Sequence, residues 1–192
     1  MYQPSSFNDK VGVSLADTPL GGSTIREFLV GEYDKKDANL LWSALEIVSL
    51  DQRIKEFPLK LDSLLLENAS NLSSGEKKRL AIARALVSAQ NGWVFLDEPY
   101  IGLNQELIKT IHSNLKNNKQ LSIMLVTHNL RMLKPQDKVI FFSDIASPEI
   151  GTHSQLLNSS EMYRNYYKSQ MNGDINVLSL IHISEPTRPL YI

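Results

Sequence analysis

The sequence predicts an α/β domain with a parallel sheet, and three features support this prediction. Two apolar runs, Trp93–Leu96 and Ile123–Val126, each end in polar residues. Four consecutive apolar residues are typical of a strand that is covered on both faces, as in a parallel sheet. A predicted helix, Gln105–Asn117, separates the two runs, and a third run at Lys138–Phe142 follows. A helix of this length fits the crossover between neighbouring parallel strands.

A helical region precedes these strands. From Ile25 to Pro58, apolar residues recur at spacings of three and four, as on one face of a helix. A short connecting stretch leads to the pair Ser73 and Glu76, whose S-x-x-E spacing predicts a capping box at a helix start. An alanine-rich run continues this helix through Leu86.

Composition narrows the classes of function. The chain has 192 residues, of which 42% are hydrophobic and 21% charged, and its formal charge is -1. This composition predicts a folded domain, and the even charge balance argues against nucleic acid as the main partner. Because the sequence contains no cysteine, disulfides, thiolate zinc sites and thiol nucleophiles are excluded.

Both ends of the chain look non-native. The string LSLIHISEPTR, residues 178–188, resembles the translation of a sequencing adapter and follows no helix or strand pattern. A poorly packed native tail is the alternative. We therefore expect residues 178–192 to be non-native and give His182 and Glu185 no functional role. The polar opening, Tyr2–Lys10, suggests that the N-terminal side is truncated too.

The first motif that carries chemistry is a serine and glycine turn before the alanine-rich helix. It includes Ser73, Ser74, Gly75 and Glu76. Free backbone N–H groups and a serine hydroxyl at a helix start can receive a phosphate group. An ordinary capped helix explains the same residues.

The second motif is a pair of carboxylates, Asp97 and Glu98, at the end of the first apolar strand. Successive strand side chains point to opposite faces, so one carboxylate can hold Mg²⁺ through water while the other deprotonates a water molecule. A solvated acidic turn before Pro99 is the alternative.

The third motif is Thr127-His128, at the end of the next strand. In open α/β sheets, ligands bind at the carboxyl edge of the strands, so His128 should lie beside the two carboxylates. A structural or surface histidine is the alternative.

Together these motifs resemble the nucleotide-binding domain of the ATP-binding-cassette (ABC) superfamily over residues 11–170. The order is LSSGE, an ARAL helix, a strand ending in DEP and a strand ending in TH. By this resemblance, residues 72–76 correspond to the signature, Asp97 to the Walker B aspartate, Glu98 to the catalytic base and His128 to the switch histidine.

The resemblance also implies the ligands and the partner. The cofactors are ATP and Mg²⁺, with Asp97 holding the metal through water. In the family two domains pair head to tail, and the signature of one contacts the ATP of the other. Contacts to this ATP are therefore expected from five residues: Ser73, Ser74, Gly75, Glu76 and, at the family's D-loop aspartate position, Asn104.

The implied fold class is a P-loop NTPase-like ABC ATPase domain that is incomplete. Residues 1–177 form the partial domain and residues 178–192 the adapter tail. A helical subdomain is expected at about 24–88, and the parallel-sheet part, with Walker B and the switch histidine, at about 89–170.

Two flanking segments resemble the exporter branch of the superfamily. Gly22–Glu27 resembles a GTIRE stretch, and Glu149–Leu157 resembles an E-x-G-T-H-x-x-L-L segment. Tyr163 and Gln170 fit the closing helix of the family. The sequence GEKKRLAIARAL, residues 75–86, most resembles the heterodimeric cysteine/glutathione exporter of bacteria. The resemblance implies a transmembrane domain upstream and a location at the cytoplasmic face of the inner membrane.

The sequence departs from the family pattern at several positions. The Walker A loop is missing, since Gly21–Ser23 lacks its lysine and spacing, so this chain alone is expected to be inactive. Ala16 aligns with the glutamine that coordinates Mg²⁺, and Ser74 replaces the second signature glycine. Two alternatives remain: a soluble ABC ATPase without a transport role, and a non-catalytic regulatory half of a heterodimer. The transported substrate is not encoded in these motifs.

Overall fold

The structure, a computed structural model, describes residues 11–15, 20, 24–31, 37–89, 92–143, 147–172 and 180–184. The sequence predicts helices followed by three strands; the structure has these elements in a six-stranded sheet whose first strand precedes the helices. No helix within these ranges is both long enough and apolar enough to cross a membrane.

The predicted helical region divides into short helices because the backbone turns between them. These are α1 (Ile25–Val30), α2 (Ala38–Ile47) and α3 (Asp51–Lys55). Thr24 caps α1 in a capping box with Glu27. Between α2 and α3, Ser49 has a φ of 54°, in the left-handed region that a helix cannot continue through. Two 3₁₀ turns follow, at Lys60–Asp62 and Glu67–Ala69.

Helix α4 (Ser74–Ala89) is the alanine-rich helix that the sequence predicts. Its alanines allow it to lie against β1 (Val11–Ser14), a strand that the sequence analysis missed. The contact is so close that a Cβ atom at Gly12 would overlap the carbonyl oxygen of Ala85. Small residues on both elements therefore set the distance between this helix and the sheet.

The sheet contains β1 and five further strands, in the order β1-β2-β3-β6-β4-β5. The remaining strands are β2 (Trp93–Asp97), β3 (Ser122–Thr127), β4 (Lys138–Phe141), β5 (Glu149–Thr152) and β6 (Leu180–Ser184). Strands β1, β2 and β3 are parallel, and the crossover from β2 to β3 is α5 (Gln105–Asn117), with the bounds the sequence predicts. Because β5 and β6 run antiparallel to their neighbours, the sheet is mixed.

Only one face of the central strands is fully covered. Val94 and Leu96 are buried, whereas Trp93 and Phe95 on the opposite face are half-buried and stack on each other. The expectation that β2 is covered on both faces is therefore wrong. Its apolar run reflects hydrophobic residues on both faces, not burial of both.

Strand β6 corrects a second expectation. Residues 180–184 lie within the string that shows no strand pattern, yet they pair antiparallel with both β3 and β4. Since β6 is antiparallel to both neighbours, β3 and β4 run in the same direction with one strand between them. Ile181 to Ser184 do alternate between apolar and polar residues, and two neighbouring strand edges supply the backbone hydrogen bonds, so the expectation of no strand here is wrong.

A second, smaller core lies under β4 and β5. It is formed with α6 (His153–Ser159) and α7 (Glu161–Asn172). The ring of Tyr163 meets Phe141 edge to face, and its hydroxyl lies 2.7 Å from Nδ1 of the buried His153. Thr152 and Gln155 form a capping box at the start of α6. The E-x-G-T-H segment thus has a structural role in this fold.

Removal of residues 178–192 should destabilise the chain, because β3 and β4 would each lose one of their two paired strands. Lost ladder hydrogen bonds contribute roughly 1 kcal/mol each, so the melting temperature should fall by about 10 °C or more. A chain that lacks only residues 185–192 keeps β6 and serves as the control. Equal melting temperatures for the two truncated chains, measured by circular dichroism, would contradict the role of β6.

Acid should weaken the second core through His153. Burial lowers the pKa of His153, although the charge of Asp137 acts in the opposite direction. As the pH falls below the ordinary histidine pKa of about 6.5, the unfolded chain binds a proton that the folded chain resists, so stability declines. Between pH 7.5 and 5.5, the wild type should lose more thermal stability than His153→Asn, whose amide keeps a hydrogen-bonding group near Tyr163. An equal loss in both proteins would exclude His153 as the source.

Candidate functional site

The candidate site lies at the carboxyl edge of β2 and β3. The two strands are paired in register, with Asp97 opposite Val126. One residue further, the Glu98 N–H donates to the Val126 carbonyl at 3.0 Å. This parallel register places the ends of both strands at the same level, and so brings together the residues that follow them.

Glu98 and His128 meet at this edge. Oε1 of Glu98 lies 3.3 Å from Nε2 of His128, and the glutamate side chain is 13% exposed while the histidine is 39% exposed. Glu98 has a φ of 44°, an uncommon conformation for a residue with a side chain. Such strain is often found at functional sites, where surrounding contacts hold it in place.

The surroundings of Glu98 favour a carboxyl group that accepts a proton. Burial raises the pKa of Glu98 above its ordinary value, and the neighbouring charge of Asp97 adds to the rise. The charge and backbone N–H of His128 and the charge of Lys78 act in the opposite direction. A carboxylate with a raised pKa, beside an imidazole and partly open to solvent, can act as a general base.

The serine and glycine turn has the capping box that the sequence predicts. The Ser73 N–H donates to Glu76 at 2.8 Å, and the Glu76 N–H donates to the Ser73 hydroxyl at 3.3 Å. Burial alone would raise the pKa of Glu76, but the hydrogen bonds from Ser73 and the charge of Arg53 outweigh it and lower the pKa. Ser73 and Ser74 are exposed, so their polar groups are accessible to a ligand.

The segment between β2 and α5 connects the carboxylate edge with this turn. A Cβ atom at Gly75 would lie 3.2 Å from a methyl group of Leu103, so glycine allows the turn to approach this segment closely. The next residue, Asn104, caps α5 by accepting a hydrogen bond from the Leu107 N–H at 2.9 Å. Asn104 thus has a structural role in addition to the ATP contact that the family resemblance implies.

The sequence analysis missed two contacts near the site. Arg53 of α3 contacts Glu76 at 3.1 Å, and the Tyr100 hydroxyl lies 3.3 Å from Nδ1 of the buried His112. Arg53 is 23 positions from Glu76, and Tyr100 belongs to an irregular turn, so no periodic pattern indicates either contact. Ala16 and Gly21–Ser23, which bear on the expected departures from the family, lie outside the described residues.

The residues at the edge suit Mg²⁺, although three potential metal ligands do not cluster anywhere in the described part of the chain. Mg²⁺ in phosphoryl-transfer sites is usually held by one or two carboxylates, with water and phosphate oxygens as its other ligands. Asp97 and Glu98 provide two carboxylates at a partly open edge, so a metal that arrives with a phosphate ligand fits this donor set.

Comparison with known proteins identifies the family. A family model described as ABC transporter matches residues 3–101. The mitochondrial iron-sulfur clusters transporter ATM1 of Kluyveromyces lactis is 34% identical over 171 residues, which are 86% of this chain and 23% of the relative. The ATP-dependent lipid A-core flippase of Photobacterium profundum is 31% identical over 176 residues, 90% of this chain and 30% of the relative.

A solved structure supports the fold. The structure of a bacterial Atm1-family ABC exporter with ATP bound matches with a TM-score of 0.73 at 23% sequence identity. The match covers 87% of this chain and 30% of the exporter chain. The chain thus spans between about a fifth and a third of the length of these exporters. From the family model and these relatives, the chain belongs to the ABC transporter family and to its exporter type.

Proposed function

We propose that this chain is part of an ATPase domain that powers export, and that Glu98 acts in it as the general base. The observation that carries this proposal is the contact between Glu98 and His128 at the carboxyl edge of two parallel strands. Family membership supports ATP as the ligand. The relatives named above act as transporters or flippases, which supports a role in transport.

Each residue at the edge has a distinct part in this mechanism. Bound ATP and Mg²⁺ would supply the phosphoanhydride bond and neutralise phosphate charge. Asp97 would hold the metal through water. Glu98 would accept a proton from the attacking water molecule, and its raised pKa favours proton transfer. His128 would donate a ring N–H to the terminal phosphate.

We further propose that the site is completed by a second ABC ATPase domain, paired head to tail. Ser73, Ser74, Gly75, Glu76 and Asn104 would contact the ATP of that domain. The exposure of Ser73 and Ser74 supports such a contact, because both residues are accessible to a partner. In the longer protein, a transmembrane domain would hold this pair at the cytoplasmic face of the membrane.

The domain boundaries belong to the same proposal. Residues 1–177 would be the native part, with a helical subdomain at about 24–88 and the sheet part at about 89–170. Residues 178–192 would be foreign to the family, as their resemblance to an adapter sequence suggests. The antiparallel direction of β6 between β3 and β4 supports this view, since these two strands run parallel to each other.

Glu98→Gln in the longer protein that contains this chain should abolish ATP turnover while nucleotide binding is retained. The amide keeps the shape of the side chain but cannot accept the proton, and general-base catalysis contributes about 100-fold or more. Turnover is measured as phosphate release and binding as retained radiolabelled ATP. Glu106→Gln is the matched control, because Glu106 is exposed and lies in the next helix. If Glu98→Gln retained more than about a tenth of the rate, Glu98 would not be the base.

Ser74 stands where the family signature has its second glycine, and glycine allows a closer approach of the backbone to phosphate. The signature of this chain is therefore weakened, which suggests that the pair of domains is a heterodimer with one weakened site. The working site would combine Glu98 of this chain with the signature of the partner. Ser74→Gly should then leave the ATPase rate of the reconstituted pair within about twofold, whereas damage to the signature of the partner should stop turnover. A several-fold rise with Ser74→Gly, or full activity of this subunit as a homodimer, would refute the asymmetry.

A further inference from the structure

A cavity of about 510 Å³ lies between α5 and the segment that follows β3. Its volume falls within the range of small-molecule sites, roughly 300–1,000 Å³. The α5 side contributes His112 and Lys116, and the other side contributes Asn129, Arg131 and Lys134. Neither side belongs to the motifs that the sequence analysis identified.

The charged residues that line the cavity in the described part of the chain are all cationic. Among the described residues, no carboxylate lines the cavity. Four cationic residues do: Lys109, Lys116, Arg131 and Lys134. Two of these cations have acidic partners outside the lining. The mostly buried Lys116 pairs with Asp137, and the exposed Lys109 pairs with Glu106 at 3.4 Å.

The other two cations, Arg131 and Lys134, form no salt bridge with an acidic side chain in the described part of the chain. Arg131 donates to the neutral carbonyl oxygen of Gln170 at 2.7 Å, which fixes its position without neutralising it. The backbone N–H of Lys134 is held by Asp137 at 2.8 Å, so the segment that carries both cations is anchored. Arg131 is thus a positioned positive charge that needs little ordering when an anion binds, and the exposed side chain of Lys134 adds a second positive charge beside it.

The rest of the lining suits an organic ligand. Amide groups of Asn117, Asn129 and Gln136 can donate hydrogen bonds, while Ile108 and Met132 provide apolar surface. We propose that this cavity is a binding site for a small organic anion with two or more negative charges. Such a ligand carries its negative charges on carboxylate or phosphate oxygens and is small enough to enter the cavity.

The position of the cavity connects it to the catalytic edge. Asn129 directly follows His128, and His112 contacts the hydroxyl of Tyr100, two residues after Glu98. A bound anion would therefore contact the segment after His128 directly and the segment after Glu98 only through His112, a position from which it would modulate turnover. This regulatory consequence rests on the proposed role of Glu98, whereas binding itself does not.

Titration calorimetry of the whole chain with citrate, and separately with pyrophosphate, tests the site. Low ionic strength is required because salt screens the attraction. One anion per chain should bind, and the variant Lys109→Ala/Lys134→Ala should bind at least about tenfold more weakly, because two charge-assisted contacts are lost. The control Lys119→Ala/Lys168→Ala removes the same charge from two exposed lysines outside the cavity and should bind like the wild type.

In nuclear magnetic resonance spectra of the unmodified chain, the ring signals of His112 report whether the anion binds in the cavity. They should shift on titration, so the test does not depend on the folding of the variants. Binding of citrate alone identifies carboxylate selectivity, and binding of pyrophosphate alone identifies phosphate selectivity; both support the site. No saturable binding of either anion, equal weakening in the control pair, or unchanged His112 signals would overturn the proposal.

Discussion

The parallel pairing of β2 with β3 is the constraint on which the site depends. It places Asp97 opposite Val126 and allows the Glu98 N–H to bond the Val126 carbonyl. From that anchor, the unusual backbone conformation of Glu98 directs its carboxylate toward His128. A shift of one residue in this register would turn every side chain of one strand to the opposite face and separate the pair.

The helices support this register from one side of the sheet. Helix α4 lies against β1 at the contact between Gly12 and Ala85, and α5 connects β2 directly to β3. These two helices also begin at the segments of functional interest, since α4 starts at the serine and glycine turn and α5 is capped by Asn104. Packing that stabilises the sheet thus also positions the polar groups around it.

Glu98 shows how burial and function are connected. Its carboxyl group loses water on folding, which raises its pKa, and His128 offsets only part of that cost. Partial burial leaves a group that attracts a proton more strongly than an exposed glutamate does. The segment that follows β3 begins next to His128 and also lines the cavity with Asn129, Arg131 and Lys134, so one segment links the carboxylate edge to a site lined by cations.

The sequence by itself determined the elements whose signals are local. Capping at Ser73 and Glu76, the bounds of α5, the central strands and the neighbourhood of Glu98 and His128 all follow from spacing and residue type. The tertiary structure alone decided the contact of Tyr100 with His112, the half-open face at Trp93 and the pairing of β6. These features depend on which distant backbone edges and side chains meet, and neither periodicity nor capping residues carry that information.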